Sequence, residues 1–259
     1  MKYREKAIVL NNEQIGKDIY SLRLQTRQIA KESVPGQFVS VYCRDNSRLL
    51  PRPISICEAD EDSGSLRLVF RIAGAGTAEF SGLKSGDTVD IVGPLGNGFP
   101  LERAEDRRVF LIGGGIGIPP MIQLEHALED SGRAAEVTAV LGYRDERFLE
   151  GDFSCRCQIA TEDGSAGTKG NVLDAIRDGG LRADVIYACG PTPMLRALKQ
   201  YAEEEGIECW LSLEEKMACG IGACLSCVCR STEKDGHSQV NNKRVCTEGP
   251  VFRSTDIDL

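Results

Sequence analysis

Arg108-Val109-Phe110-Leu111-Ile112-Gly113-Gly114-Gly115-Ile116-Gly117-Ile118-Pro119-Pro120 divides the 259-residue chain into two kinds of sequence. The apolar run Arg108 to Ile112 reads as a strand buried on both faces, the glycines as a loop, and Pro119-Pro120 as the opening of a helix running to Ser131. Downstream the rhythm continues. Val137 to Leu141 predicts a strand, Asn171 caps a helix, Asp184 to Ala188 is a strand, Thr192-Pro193 opens another helix, and Cys209 to Leu213 reads as the last strand. Strand–helix alternation of this kind implies a parallel sheet with helices on both faces.

Upstream the period is two. Ile19 to Gln25, Gln37 to Tyr42 and Ser65 to Ile72 alternate as strands, separated by turn signals at Pro35-Gly36, Asp62-Ser63-Gly64, Ser85-Gly86-Asp87 and Gly93-Pro94. Many short strands at this spacing predict a small antiparallel barrel. The expected division is a barrel over 1–100, an α/β domain over 101–210 and a small C-terminal lobe over 211–259.

That lobe carries Cys219-Gly220-Ile221-Gly222-Ala223-Cys224-Leu225-Ser226-Cys227-Val228-Cys229, with Cys246 farther on. The gaps are C-x4-C-x2-C and then a distant fourth cysteine, the plant-type ligand spacing for a 2Fe–2S cluster. Small residues at 220, 222 and 223 let the backbone fold tightly and aim N–H groups at sulfur. A zinc site, a disulfide or buried thiols are the other readings. Structural zinc usually shows two close pairs or Cys/His pairs, and here one close pair stands with no histidine beside it. The spacing favours Cys219, Cys224, Cys227 and Cys246 as ligands and leaves Cys229 surplus.

Two stretches suit a flavin. In Leu50-Pro51-Arg52-Pro53-Ile54-Ser55-Ile56, at the end of the third or fourth barrel strand, Arg52 offers a fork of donors to a pyrophosphate and Ser55 a hydroxyl to a ring edge. A barrel-end arginine can equally be a solvated charge. Arg71-Ile72-Ala73-Gly74-Ala75-Gly76-Thr77 ends another strand in a small-residue loop that admits a phosphate closely. For nicotinamide, Gly113, Gly114, Gly115 and Gly117 precede a helix N-terminus, although the spacing is not G-x-G-x-x-G and a plain turn is the alternative. Ala188-Cys189-Gly190-Pro191 ends a later strand at the same sheet edge, so Cys189, Gly190 and Pro191 are expected to line the nicotinamide pocket. Cys189 could also be an inert packed thiol.

Composition bounds the partners. The net charge is −8 with no basic stripe, which argues against nucleic acid. No apolar run reaches membrane-spanning length, and the N-terminus leads into a polar alternating segment unlike a signal peptide. Five of eleven cysteines fall in the cluster region of a chain with ample apolar residues, which fits a reducing, cytoplasmic setting better than a disulfide scaffold. The two histidines, His126 and His237, sit on a helix and in a polar loop, and neither is read as catalytic. No catalytic residue is assigned: such a chain mainly positions cofactors.

Taken together, Arg-Pro-Ile-Ser, Gly-Gly-Gly-Ile-Gly-Ile-Pro-Pro and Cys-Gly-Pro resemble the ferredoxin–NADP reductase superfamily over residues 1 to about 210. With the cysteine block and Val245-Cys246-Thr247-Glu248-Gly249-Pro250-Val251-Phe252, the whole chain resembles one branch. That branch comprises the electron-transfer subunits of NAD-dependent (type B) dihydroorotate dehydrogenase in pyrimidine biosynthesis. The resemblance implies one FAD, one 2Fe–2S cluster and NAD. It implies flavin contacts at Arg52, Pro53, Ile54, Ser55, Val69, Phe70, Arg71, Gly76 and Thr77, and cluster ligands at Cys219, Cys224, Cys227 and Cys246. It also implies an FMN-containing catalytic subunit as partner, two of each subunit in the complex. Electrons would then run from dihydroorotate through the partner's FMN, the cluster and FAD to NAD+. NAD is expected over NADP because Leu141-Gly142-Tyr143-Arg144-Asp145-Glu146 ends the second α/β strand with acids near the adenosine ribose; Arg144 argues the other way. The alternative is a flavin and iron–sulfur subunit of an NAD(P)H:ferredoxin oxidoreductase, transhydrogenase or hydrogenase.

Overall fold

The computed structural model describes all 259 residues except Asn46, Asp145 and 235–238. Six strands close the barrel: β1 (Tyr3–Gly16), β2 (Ile19–Gln25), β3 (Phe38–Val41), β4 (Arg52–Asp60), β5 (Ser65–Arg71) and β6 (Thr88–Leu95), ordered β1-β2-β5-β4-β3-β6. Two short helices, α1 (Gln28–Glu32) and α2 (Ala75–Ser81), cover its ends. Alternation sends Leu22, Leu24, Leu66, Leu68, Phe70, Val89 and Ile91 inward to an apolar core. The expected strands at 19–25 and 65–72 are β2 and β5 almost residue for residue.

The second sheet contains β7 (Arg108–Gly114), β8 (Glu136–Tyr143), β9 (Arg156–Thr161), β10 (Thr168–Lys169), β11 (Val185–Cys189) and β12 (Glu208–Ser212), all parallel. Helices α3 (Pro119–Ser131), α4 (Val172–Asp178) and α5 (Thr192–Glu205) connect them. Proline at the start of α3 and left-handed Gly132 at its end delimit that helix as the sequence predicts. Asn171 caps α4, its Oδ1 accepting from the N–H of Leu173 at 2.8 Å and of Asp174 at 3.3 Å. Side chains of β7 alternate between the two faces. Val109 and Leu111 pack with α3, while Phe110 and Ile112 pack with α4 and α5. The strand order β10-β9-β8-β7-β11-β12 reverses direction between β7 and β11. Ligands of open α/β sheets bind at such a reversal, outside the carboxyl ends of the strands.

Two features differ from expectation. Arg-Pro-Ile-Ser opens β4 and does not end a strand; Pro53 is accommodated in its pairing with Ser40 of β3. The strand ending at Ser212 is not the last of its sheet. After a small hairpin, β13 (Val228–Arg230) with β14 (Asn242–Arg244), the chain returns as β15 (Val251–Arg253), antiparallel to β12. The C-terminal segment is therefore wedged between both units: Cys227, Val245, Cys246 and Phe252 share a core with Phe38 and Leu95 of the barrel and Leu211 of the sheet. Across the other seam, Arg67 of β5 bridges to Asp152 beyond β8, Nη1 to Oδ2 at 2.5 Å, and to Glu58 of β4 at 2.9 Å.

Candidate flavin, nicotinamide and cluster sites

Antiparallel pairing of β4 with β5 brings the start of one strand and the end of the other to one rim of the barrel. Arg52 stands there half-buried, its Nη1 donating to the carbonyl of Leu50. Its guanidinium lies against Gly76, where a Cβ would come within 2.4 Å of Nε. Gly74 faces open space, and the N–H groups of Ala73 and Gly74 donate to Thr77 Oγ1 at 2.9 and 3.3 Å. The rim thus offers a cationic fork beside bare backbone, a donor set that fits a pyrophosphate. Pro53 and Ser55 are half-buried along the same strand, and Arg71 is exposed at the end of β5. Ile54 and Phe70 turn into the barrel core, Phe70 stacking on Tyr20 at 5.9 Å, so these two offer the rim only backbone. Val69 packs outward against the α/β unit.

Strand β5 meets the turn Gly115–Gly117, which brings the glycine loop against the barrel. Gly113 pairs with Cys189 in the β7–β11 ladder. Contact between the two loops is close enough to exclude side chains: a Cβ on Gly117 would lie 2.3 Å from the Cys189 carbonyl oxygen, and one on Gly114 would lie 3.0 Å from Pro191 Cδ and 2.6 Å from Met194 Sδ. Gly190 is packed equally tightly on Met194. Gly115 alone, with φ +53°, turns its missing side chain to open space and leaves its backbone approachable. Burial pushes the Cys189 thiol up to about 12, against a hydrogen bond with Ser212, and keeps it neutral.

Beyond β8, Arg144 is exposed, and Glu146 accepts from the N–H of Lys17 at the tip of the β1–β2 hairpin, Oε2 to N at 2.8 Å. Asp145, which the NAD reading also invokes, lies outside the described residues, as does His237. His126 is on α3, the helix that follows the glycine loop, with Nε2 3.6 Å from Glu125 Oε2.

Cysteines 219, 224, 227 and 246 converge as two pairs. The N–H groups of Ala223, Cys224 and Ile221 point at Cys219 Sγ, at 3.3, 3.4 and 3.5 Å, and the Cys224 thiol meets the same sulfur. Burial disfavours charge there, but these donors outweigh it and hold the Cys219 thiol down at about 6. Hairpin β13–β14 sets Cys227 beside Cys246, with Val245 N–H donating to Cys227 O at 2.9 Å. Burial and the neighbouring Cys227 raise the Cys246 thiol to about 11, against a hydrogen bond from the Gly222 N–H. Among the described residues, no trio of Cys, His, Asp or Glu stands gathered at metal-bonding geometry. Four thiols in two facing pairs, with backbone donors already aimed at sulfur, form a donor set that fits a 2Fe–2S cluster. Cys229 lies two residues on, opposite Lys243, with its side chain packed against the core.

Asn97 ties the turn after β6 to the C-terminal segment, and no sequence motif singles it out. Its Oδ1 accepts from Val251 N–H at 3.0 Å, and its Nδ2 donates to Val251 O at 2.8 Å and Glu248 O at 3.0 Å. Only the position of a lone asparagine just past the last barrel strand hints at it. A broad groove of about 1190 Å³ at the opposite, amino edge of the sheet touches none of these loops, and its Arg107 and Arg108 are already paired with Glu208 and Asp184.

Residues 6–99 match the family described as oxidoreductase FAD-binding domain, and residues 214–258 the iron–sulfur cluster binding domain of dihydroorotate dehydrogenase B. The chain is 43% identical over 265 residues, all of both proteins, to "Dihydroorotate dehydrogenase B (NAD(+)), electron transfer subunit" of Geobacillus sp. (strain WCH70). It is 42% identical to the protein of the same name from Bacillus caldolyticus, covering 99% of each. Among solved structures, it resembles the NADH-dependent reduced ferredoxin-NADP oxidoreductase described for flavin-based electron bifurcation, with TM-score 0.86 and 30% identity over 97% of this chain and 89% of that one. A Neisseria gonorrhoeae ferredoxin NADP+ reductase with bound FAD and NADP shares the fold at TM-score 0.65 and 15% identity, over 78% of this chain and 92% of that one. The chain belongs to the family of dihydroorotate dehydrogenase B electron transfer subunits.

Proposed function

We propose that this chain is the electron-transfer subunit of an NAD-dependent dihydroorotate dehydrogenase, acting in pyrimidine biosynthesis beside a separate catalytic subunit. The observation that carries the reading is full-length similarity at 43% to subunits of that name, cysteine block included. FAD, a 2Fe–2S cluster and NAD are its cofactors; when bound, they supply conversion between one-electron and two-electron transfer. The residues of the chain bind and orient. Arg52 neutralises and clamps a pyrophosphate at the barrel rim, with Gly76 and Thr77 shaping the adjoining turn and Pro53, Ile54, Ser55, Val69, Phe70 and Arg71 lining the strands. Gly113, Gly114, Gly115 and Gly117 leave room for the second dinucleotide, with Cys189, Gly190 and Pro191 closing its nicotinamide end. Cys219, Cys224, Cys227 and Cys246 hold the cluster.

The division of labour follows domains at 1–100, 101–210 and 211–259, the last docking the partner. Ile221 and Leu225, half or more exposed on the cysteine loop, support that docking face. No described segment is left to bind an orotate-like ring or to act as base on it. The partner carries FMN, and two of each subunit form the complex. A cytoplasmic setting accords with eleven free cysteines, and no described helix is long and apolar enough to cross a membrane. Purified chain is expected to retain FAD and to be reduced by NADH. Failure of NADH to reduce it under anaerobic conditions would exclude the reading.

The bifurcating oxidoreductase neighbour favours a second reading, a subunit passing electrons between NAD(P)H and ferredoxin. Under that reading a dihydroorotate dehydrogenase catalytic subunit would not bind the chain, and ferredoxin would be reduced by it.

A further inference from the structure

Thr247 follows Cys246 directly, and its hydroxyl is buried with no hydrogen-bond partner among the described residues. Its backbone is fixed: the N–H donates to Arg244 O at 3.1 Å. The side chain faces the cysteine loop, since a Cβ on Gly222 would meet Thr247 Cγ2 at 2.8 Å and Oγ1 at 3.3 Å. Gly222 is the residue whose N–H reaches Cys246 Sγ, and its carbonyl accepts from Arg244 Nη1 at 3.3 Å. The hydroxyl therefore lies at the seam between the fourth cysteine and the loop carrying the other three. Leaving a buried hydroxyl unpaired is costly, and every such group calls for a partner. Here the groups completing the site are thiolate and sulfide sulfurs, which only accept, so the hydroxyl must donate.

We propose that the Thr247 hydroxyl donates a hydrogen bond to a sulfur of the bound 2Fe–2S cluster and thereby raises its reduction potential. This rests on the iron–sulfur reading of the four cysteines. Reduction adds one electron, with no bond broken, and the added negative charge spreads over the sulfurs. A donor to sulfur stabilises that state more than the oxidised one.

The test is a redox titration of the purified, cluster-loaded chain, followed by the electron paramagnetic resonance of the reduced cluster, for wild type, Thr247→Val and Thr247→Ser. Valine keeps the shape and removes the donor; serine keeps the donor. The expected result is about a tenfold shift toward the oxidised cluster in the valine variant, equivalent to ~59 mV for one electron, with serine near wild type. The iron–sulfur stretching bands should shift in deuterated water less in the valine variant than in the other two. Equal potentials in all three would overturn the proposal and assign the hydroxyl to a water molecule. If valine does not load the cluster, Thr247→Ala is titrated instead. Loss of loading in valine and alanine with retention in serine upholds the donor; loss in serine as well overturns it in favour of packing. Wild-type protein lacking two iron and two sulfide per chain would instead refute the cluster reading, whatever Thr247 does.

Discussion

The guanidinium of Arg52 rests on Gly76, with 2.4 Å between Nε and the point where a Cβ would stand. That contact joins the two stretches read as flavin-binding, one from the start of β4 and one from the turn after β5. The obstructing atoms belong to the far end of a flexible side chain. Gly76→Ala is therefore expected to displace Arg52 without unfolding the barrel. FAD affinity should fall about tenfold or more, as when one charge-assisted hydrogen bond is lost. Flavin fluorescence released on dilution reads the affinity, and an unchanged melting temperature separates this from misfolding.

Gly117 faces backbone, 2.3 Å from the Cys189 carbonyl oxygen to a virtual Cβ. Neither loop can yield by a rotamer change. Gly117→Ala should part the two loops at a cost of about 1–3 kcal/mol in stability, as for overpacking. NADH-driven reduction of the flavin should collapse while FAD and cluster absorption persist. Normal reduction kinetics would show that this contact does not shape the nicotinamide site.

Cys224→Ser should abolish the visible absorption of the cluster, whereas Cys229→Ser should leave it. Cys229 lies two residues beyond Cys227, in β13 opposite Lys243, outside the C-x4-C-x2-C spacing. A cluster spectrum surviving in the first variant, or lost in the second, would redraw the ligand set.

Asn97→Ala removes the reciprocal bonds to Val251 and the bond to Glu248. The expected loss is about 1–2 kcal/mol, because the residue is partly solvated. Chemical denaturation measures it, and faster cluster loss to a chelator should accompany it, since Val251 and Cys246 share one short segment.

Asp184 pairs with Arg108 through two charged hydrogen bonds, Oδ1 to Nη2 at 2.7 Å and Oδ2 to Nε at 3.0 Å, and accepts the Arg108 N–H as well. These bonds hold its carboxyl down at about 2, below the ordinary aspartate value near 4. The folded value is depressed, so the pair stabilises fully above about pH 4 and loses its contribution as pH falls through 2. Asp184→Asn should therefore differ from wild type at pH 7 by less than about 1 kcal/mol, given solvent screening, and converge with it near pH 2. Acid-unfolding curves that stay parallel would contradict this.

Elements with a strong period and a chemical boundary were legible from sequence. Helix Pro119–Ser131 announces itself by proline at one end and glycine at the other, and β2 and β5 by alternation alone. Strand β1 is harder to read: only Ala7 and Val9 of its fourteen residues are buried, so most of the strand is polar or exposed and its alternation is weak. Strand β15 is three residues long, and its place beside β12 depends on partners forty residues away. The start of β4 is obscured by Pro51 and Pro53, which read as a strand end. The proposed cluster ligands follow from spacing, yet the Asn97 clamp and the orphaned Thr247 hydroxyl are properties of tertiary contact and leave no pattern in the chain.

Dihydroorotate-dependent reduction of NAD+, measured anaerobically with and without an FMN-containing dihydroorotate dehydrogenase catalytic subunit, tests the proposed role most directly. The isolated chain should pass electrons from NADH to artificial acceptors yet leave dihydroorotate untouched, and adding the partner should switch on NADH formation. Dihydroorotate oxidation by the chain alone, or no response to the partner, would contradict it.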